Sequence, residues 1–471
     1  MTTSPSLQLA QQRLARHYLH KLQQAGADAR RGSGNRSHWH SRIQQDWEQI
    51  KQWQAWAADE QEADTERLRL CAGFTLAAAD ILTVQQTPTE QLAWAQQALA
   101  AAQRLSDHEA ERRLLFQAGS LSVMLEMPDQ AARYAQQLMT RAQADHDELG
   151  VGRATYLLGV VAFIQGQYDT AQAHFSESAA RLQDCGATEE LGKNWIGLGR
   201  VANVKGDYQQ AHAYYLRYLE TSTAHNNRLA MLEAHISLSG IHLAQHDFQA
   251  AEEHAQQAVD MARPFGLSRF LSPALFSLAH ARKWHGKLEA ACAVYEEAIA
   301  VARAMSAPST VSNGLHGLGQ AKAMQGDYAA ALAHFEEALL TAREVRFLLR
   351  VCEIAHDMVF VHVALKNPEA AYVPLREALT SAQQLGVPPF MAKALAAAVV
   401  LWQHTGRPEQ AATWAGLLQQ YLTTLHPTLF NPVVYTELEN AIGTERFNHL
   451  LEQGKALTLA DVVTEILAQV S

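Results

Sequence analysis

Residues 195–219 read WIGLGRVANVKGDYQQAHAYYLRYL, and this stretch decides the fold. Trp195, Leu198, Gly199 and Ala202 fall at i, i+3, i+4 and i+7, the spacing of one helical face. Gly206 then interrupts the run with a residue suited to the backbone conformation that ends a helix, and Asp207 is placed to cap a second one. Beyond it Ala211, Tyr215 and Leu219 restore the helical spacing. Two antiparallel helices joined by so short a turn must pack on each other.

The unit recurs. Ala131, Ala171, Ala211, Ala251, Ala291, Ala331, Ala371 and Ala411 stand 40 residues apart, each five positions after a turn. The turns hold the same register at Gly166-Gln167-Tyr168, Gly206-Asp207-Tyr208, His246-Asp247-Phe248, Gly286-Lys287-Leu288 and Gly326-Asp327-Tyr328. Lys366-Asn367-Pro368 and Gly406-Arg407-Pro408 bring in proline and read as divergent late repeats. Weaker copies lie at Glu126-Met127-Pro128 and Gln86-Thr87-Pro88. A fixed period of this length predicts an all-α solenoid of helix–turn–helix units, each burying its apolar face against its neighbours.

Small residues recur inside the first helix of each unit: Gly159, Gly199, Ser239, Ala279 and Gly319. Together with the repeated alanine they allow close approach of the axes. Leu158, Leu198, Leu238, Leu278 and Leu318 fill the space beside them on one helix, and Phe175, Tyr215, Tyr295 and Phe335 on the other.

Bulk properties narrow the function. The chain has 471 residues and a formal net charge of −10, which argues against a chain-wide surface for nucleic acid or anionic membrane. Cys71, Cys185, Cys292 and Cys352 are scattered, as expected of small packed residues in a reducing compartment. No apolar run approaches the ~18 residues of a membrane span, and Met1–Ser6 carry no leader-like apolar region. A soluble, cytoplasmic protein is expected.

The unit resembles the tetratricopeptide repeat (TPR): Trp195, Gly199, Ala211 and Tyr215 match its signature positions. Tyr218 stands where the second signature alanine belongs, a position held by Ala258, Ala298, Ala338 and Ala378 in other units. The 40-residue period exceeds the family's usual 34 and implies longer helices. The resemblance implies a right-handed superhelix over residues 66–425, with a helical N-terminal cap over 1–65 and a C-terminal cap over 426–471.

At the N-terminal end, Leu7–Gln24 reads as an amphipathic helix, Gly26–Ser37 as a loop, and Trp39–Ala57 as a second helix. At the C-terminal end, His426-Pro427 and Asn431-Pro432 interrupt the array before three short helices, Val434–Ile442, Glu445–Gln453 and Leu459–Val470. Thr458 and Asp461 form a capping pair for the last. Arg13–Leu19, Ile43–Trp56 and Phe447–Leu467, with Gly454-Lys455-Ala456-Leu457-Thr458-Leu459, resemble parts of the MalT-like, LuxR-type sensor half of bacterial NB-ARC (STAND) signal-transduction ATPases. In that family the repeats sense an inducer or a partner, and a separate ATPase transmits the event. The G-x-x-x-x-G-K-[ST] loop is absent here: Gly192-Lys193, Gly286-Lys287 and Gly454-Lys455 are followed by the wrong residue. The expectation is therefore the sensing part without its ATPase.

Candidate chemistry is sparse. His38-Trp39-His40 has no third ligand nearby and reads as a helix start, and His246 of the His242/His246 pair occupies a turn position. No nucleophile elbow or embedded reactive cysteine occurs. Glu252-Glu253, Glu296-Glu297 and Glu336-Glu337 read as a solvated ridge. Arg30, Arg31, Arg36 and Arg42 form a basic, solvated loop rather than a nucleic-acid site. No catalysis, metal or cofactor is expected.

The resemblance places the working surface in the groove lined by the first helices. In this register the candidates are Arg153, Tyr156, Lys193, Arg200, Asn203, Glu233, Phe276, His280, Lys283, Asn313, His316, Gln320, Glu353 and His356, beside Phe163, Trp284 and Phe360. That mixture suits an extended peptide, a partner helix or a small-molecule inducer, with aromatic anchors and polar groups that fix register. The expected role is a sensor or adaptor. The alternative is a regulatory subunit acting with a separate ATPase or DNA-binding partner.

Overall fold

The computed structural model describes residues 5–31, 36–59, 64–263, 268–421 and 432–470. Contacts divide the chain into two compact units, residues 1–241 and 242–471. Described residues of the first unit form α1 (Pro5–Arg31), α2 (Arg36–Ala58), α3 (Thr65–Gln85), α4 (Pro88–Arg104), α5 (His108–Met124), α6 (Pro128–Ala144), α7 (Glu148–Ile164), α8 (Tyr168–Asp184), α9 (Thr188–Val204) and α10 (Tyr208–Ala224). The division falls inside α11 (Arg228–Ala244). The second unit continues with α12 (Phe248–Ala262), α13 (Ser268–Trp284), α14 (Leu288–Ala304), α15 (Pro308–Met324), α16 (Tyr328–Glu344), α17 (Leu348–Ala364), α18 (Tyr372–Leu385), α19 (Pro388–His404), α20 (Pro408–Leu418), α21 (Pro432–Ile442), α22 (Thr444–Gly454) and α23 (Leu459–Gln469). No strand occurs among the described residues, and within each unit most helices adjacent in sequence pack on one another.

The turns are stricter than the 40-residue pattern. A left-handed residue occurs every 20 positions, from Ser106 and Glu126 through Gly206 and Asn226 to Gly386 and Gly406, except at 266, which is outside the described residues. The turns between repeats therefore use the same geometry as those within them. At Gly206 (φ +78°) the amide donates to Asn203 O and that of Asp207 to Ala202 O, the paired bonds that close a helix C-terminus. Asp207 then accepts from the Gln210 amide and starts the next helix. Most helices are accordingly 17 residues long, with three-residue connections.

Packing explains the small residues. A methyl group on Gly159 would lie 2.8 Å from the Phe175 ring, one on Gly199 2.4 Å from Tyr215, and one on Gly319 2.5 Å from Phe335. Each glycine is a seat for the ring opposite. Phe175 also presses on Gly197 of the following unit, and Tyr295 on Gly317, so the ring wedges three helices together. All eight repeated alanines are fully buried. Leu198, Leu238, Leu278 and Leu318 are buried as expected; Leu158 is only half-buried.

Three local expectations change. The Gly26–Ser37 loop is not a loop throughout: α1 runs on to Arg31, because alanines flank Gly26 and one glycine costs a helix only ~1 kcal/mol. Residues 32–35 lie outside the described residues, as do the side chains of Arg30, Arg31, Arg36, His38, Trp39, His40 and Arg42, and as do His426, Pro427 and Asn431. At Pro368 the second helix opens with a 3₁₀ turn, Pro368–Ala371, before α18. The glutamate ridge is not merely solvated: Arg263 pairs with Glu297, Arg303 with Glu337 and Arg343 with Glu377, one rung per repeat.

The C-terminal helices lie within two residues of their expected ends, with Thr458 accepting from the Asp461 amide. Gly416 and Gly454 let α20 and α22 touch through their backbones, since a methyl group at either would fall within about 2 Å of a carbonyl oxygen.

A paired substitution tests the ring-seat argument. Gly199→Ala should destabilise the chain by about 1–3 kcal/mol through overpacking against Tyr215. Gly240→Ala, in α11 where nothing lies within 4 Å of the new methyl, should stabilise it by about 1 kcal/mol. Denaturant unfolding of both variants measures the contrast; equal effects would refute it.

Candidate functional site

In the first unit the candidate residues satisfy one another. Arg153 on α7 pairs with Glu190 on α9 and lies 5.5 Å from the Phe116 ring, which Lys193 also approaches at 5.1 Å. Tyr156 tilts against Phe116 and Phe175, and burial pushes its hydroxyl up to about 12. Arg200 pairs with Glu233 at 2.7 Å, and Tyr218, in place of the signature alanine, donates to the same carboxylate. Asn203 is exposed on α9. These contacts tie neighbouring repeats and leave the larger charges already matched.

The second unit is different. Its odd-numbered helices, with Phe248 of α12 and Phe335 of α16, line an open cavity of about 670 Å³, walled by Leu243, Phe248, Trp284, Met324, Phe335 and Phe360, with His246, Lys283, Gln320, His356, Asp357 and Lys393 as its polar groups. The regular 20-residue turns put Lys283 at the end of α13, Gln320 on α15, His356 and Asp357 on α17 and Lys393 on α19.

Asp357 is the hub. Its Oδ2 accepts from Gln320 Nε2 (2.7 Å) and from His316 Nε2 (2.7 Å), and its Oδ1 from His356 Nδ1 (2.8 Å). Burial opposes its charge, but the bonds donated by His316 and His356 prevail and hold the carboxyl well below its ordinary range. Both histidines stay neutral because burial outweighs the carboxylate beside them. His316 accepts at Nδ1 from Arg350 (3.0 Å), which leaves its proton on Nε2. His356 spends its Nδ1 proton on Asp357. Its Nε2 is thus a bare acceptor, fully buried and without a partner.

Gln320 passes the network on by accepting from Lys283 Nζ at 2.6 Å. Lys283 is 2% exposed, lies 5.1 Å from the Trp284 ring, and makes no ion pair with any described residue. Burial lowers its ammonium to about 8, partly offset by Asp357. Lys393 lies 3.7 Å from Glu353, which also pairs with Arg350 at 2.8 Å.

Of the candidates in this unit, the structure brings Lys283, His316, Gln320, Glu353 and His356 into one network. His280 stands against the Tyr295 ring, driven to about 3 by burial and by Lys283 nearby. Asn313 is half-buried on α15 with its Oδ1 unpartnered, and Phe276 packs on Gly314; neither lines the cavity. Trp284 and Phe360 wall the cavity, whereas Phe163 belongs to the first unit, against Tyr168. Sequence reasoning missed Asp357, Arg350 and Lys393. A signal existed for Asp357: the equivalent positions are Gly197, Ser237, Ser277 and Gly317, so a carboxylate there is anomalous. His242 stacks on His254, and His246 takes a turn conformation at φ +62°. Among the described residues no group of three or more His, Cys, Asp or Glu is placed to hold a metal, and no helix is long and apolar enough to cross a membrane.

Paired 17-residue helices, ring seats and a cavity lined by the first helix of successive repeats define a tetratricopeptide-type protein. The family model for the MalT-like TPR region matches residues 118–414, and the chain belongs to that family. No curated relative matches it in sequence. Among solved structures, it is similar to a STAND signal-transduction ATPase with a tetratricopeptide repeat sensor from Pyrococcus horikoshii (14% identity, TM-score 0.55, 87% of this chain and 57% of that one). It is also similar to a Rap protein crystallised with competence and sporulation factor (14% identity, TM-score 0.51, 76% and 98%). A third is a chain of the APC/C hetero-tetramer Cut9-Hcn1 (16% identity, TM-score 0.50, 71% and 57%). The chain thus spans little more than half the length of the first and third. At these identities the likeness is one of fold.

The lysine offers a test with a definite sign. Its folded pKa lies below that of the unfolded chain, so its burial destabilises below about pH 8, and the penalty fades as pH rises from 8 towards 10.5. Lys283→Met should therefore raise stability at pH 7 by about 2 kcal/mol, with the advantage shrinking by pH 10. Denaturant unfolding at both pH values measures it. A destabilised variant at pH 7 would mean that the bond to Gln320 outweighs desolvation.

Proposed function

We propose that the chain is a non-catalytic sensor or adaptor that binds a protein, peptide or small ligand on the faces of its first helices, with the working site in residues 242–471. The observation that carries this reading is the cavity itself. Its aromatic walls surround a polar network whose members come from α13, α15, α17 and α19, so an occupant touches four helices at once. Occupancy then changes how those helices pack and transmits the event along the array. Of the Asn313, His316 and Gln320 register, Gln320 lines the cavity, and His316 and Gln320 together orient Asp357. Within the first unit, taken by itself, Arg153, Tyr156, Lys193, Arg200, Asn203 and Glu233 are the corresponding candidate contacts.

Residues 1–65 and 426–471 serve as caps on a repeat array of 66–425. Membership of the MalT-like family supports a regulatory setting in which a separate ATPase or DNA-binding partner reads the bound state.

Affinity capture on the purified full chain, compared with a Trp284→Ala/Phe360→Ala variant of unchanged helicity, tests the site. The wild type should retain a partner or small molecule that the variant releases, with about a tenfold or greater loss of affinity on re-addition. Equal retention by both chains would remove the cavity from the binding role.

A further inference from the structure

Two buried groups on the cavity wall lack the partner their chemistry calls for. Lys283 carries its charge into the protein with a neutral amide and an indole ring as its direct contacts, and Asp357 attracts it only from beyond Gln320. The Nε2 atom of His356 presents a lone pair that nothing meets. The first lacks an anion and the second an N–H or O–H donor. A buried unsatisfied group of either kind costs a free energy that a suitable ligand removes on binding.

Charge narrows the choice of anion. Asp357 is ionised and bonded both to Gln320, which contacts Lys283, and to the His356 ring itself. A dianion would meet that carboxylate with more repulsion than one lysine offsets, whereas a monoanion is matched by Lys283. Lys393 adds positive charge but already shares it with Glu353. Apart from His246, the remaining wall, with Phe248, Trp284, Met324, Phe335 and Phe360, is apolar and of a size to face a ring. A volume of about 670 Å³ falls in the range of small-molecule sites.

We infer that the cavity binds a small organic monocarboxylate with an apolar, ring-sized body and a hydroxyl or amide N–H. Its carboxylate meets Lys283 Nζ, its donor meets His356 Nε2, and its body lies between Trp284 and Phe360. This rests on the binding role proposed above and names the chemical class of the occupant.

Calorimetric titration of the full chain with N-acetylphenylalanine as probe tests the inference. The matched compounds are its amide, which lacks the charge; hydrocinnamic acid, which lacks the donor; phenyl phosphate; and an acetylated, amidated hexapeptide. The expected result is binding of the probe, with the amide and hydrocinnamic acid each weaker by about tenfold or more. Lys283→Met should lose the preference for acid over amide while the free protein melts no lower than the wild type. His356→Phe should lose the preference for the probe over hydrocinnamic acid and keep that for acid over amide. Equal binding of acid and amide, unchanged affinity in Lys283→Met, tighter binding of phenyl phosphate, or no panel member binding below about 10 mM would each overturn it. Binding of the hexapeptide alone would overturn this inference and leave the wider binding role standing.

Discussion

The left-handed residue that returns every twenty positions is the constraint on which the rest of the molecule depends. It ends most helices at 17 residues, reverses the chain within three, and resets the next helix to the same phase. Because the phase is preserved, equivalent side chains stand on equivalent faces in repeat after repeat. Eight of these turns use a residue other than glycine, among them Glu126, His246 and Arg346. Each such residue costs on the order of 1 kcal/mol in this conformation. The packing that follows from the turn offsets the cost, since a missed turn would displace the buried alanine, the ring and its glycine seat together.

The aromatic wedge shows how local chemistry becomes a repeat interface. Phe175 sits on Gly159 of its own unit and Gly197 of the next, so one side chain joins two repeats and depends on two small residues. The exposed arginine–glutamate rungs repeat with the same regularity, but they lie in water and contribute little to stability. The apolar wedge therefore does most of the joining, and the charged rungs chiefly bias register.

Regularity also gives the cavity its meaning. In the first unit Arg153 finds Glu190 and Arg200 finds Glu233, so groove charges cancel between neighbouring repeats. Beyond residue 242 the pattern departs: a carboxylate stands at 357 where the four preceding repeats keep glycine or serine, and lysines enter at 283 and 393 without full compensation. A repeat scaffold makes such departures informative, because the neighbouring copies display what packing alone requires.

The amino-acid sequence by itself determined the all-helical array, its period, the repeated alanine, the ring opposite the glycine, and the C-terminal helices with their Thr458 cap. These follow from contacts a few positions apart or one repeat apart, which periodicity exposes directly. It also placed His316, Gln320 and His356 on a common face. Only the tertiary structure decided that Asp357 joins them, that His356 is left with a bare Nε2, and that Lys283 is buried without a direct ion pair. Those outcomes depend on side chains 37 to 41 residues apart meeting across helices, and on which of several polar neighbours each one reaches first. Spacing along a chain specifies the face a residue occupies; the identity of its partner is settled by packing in three dimensions.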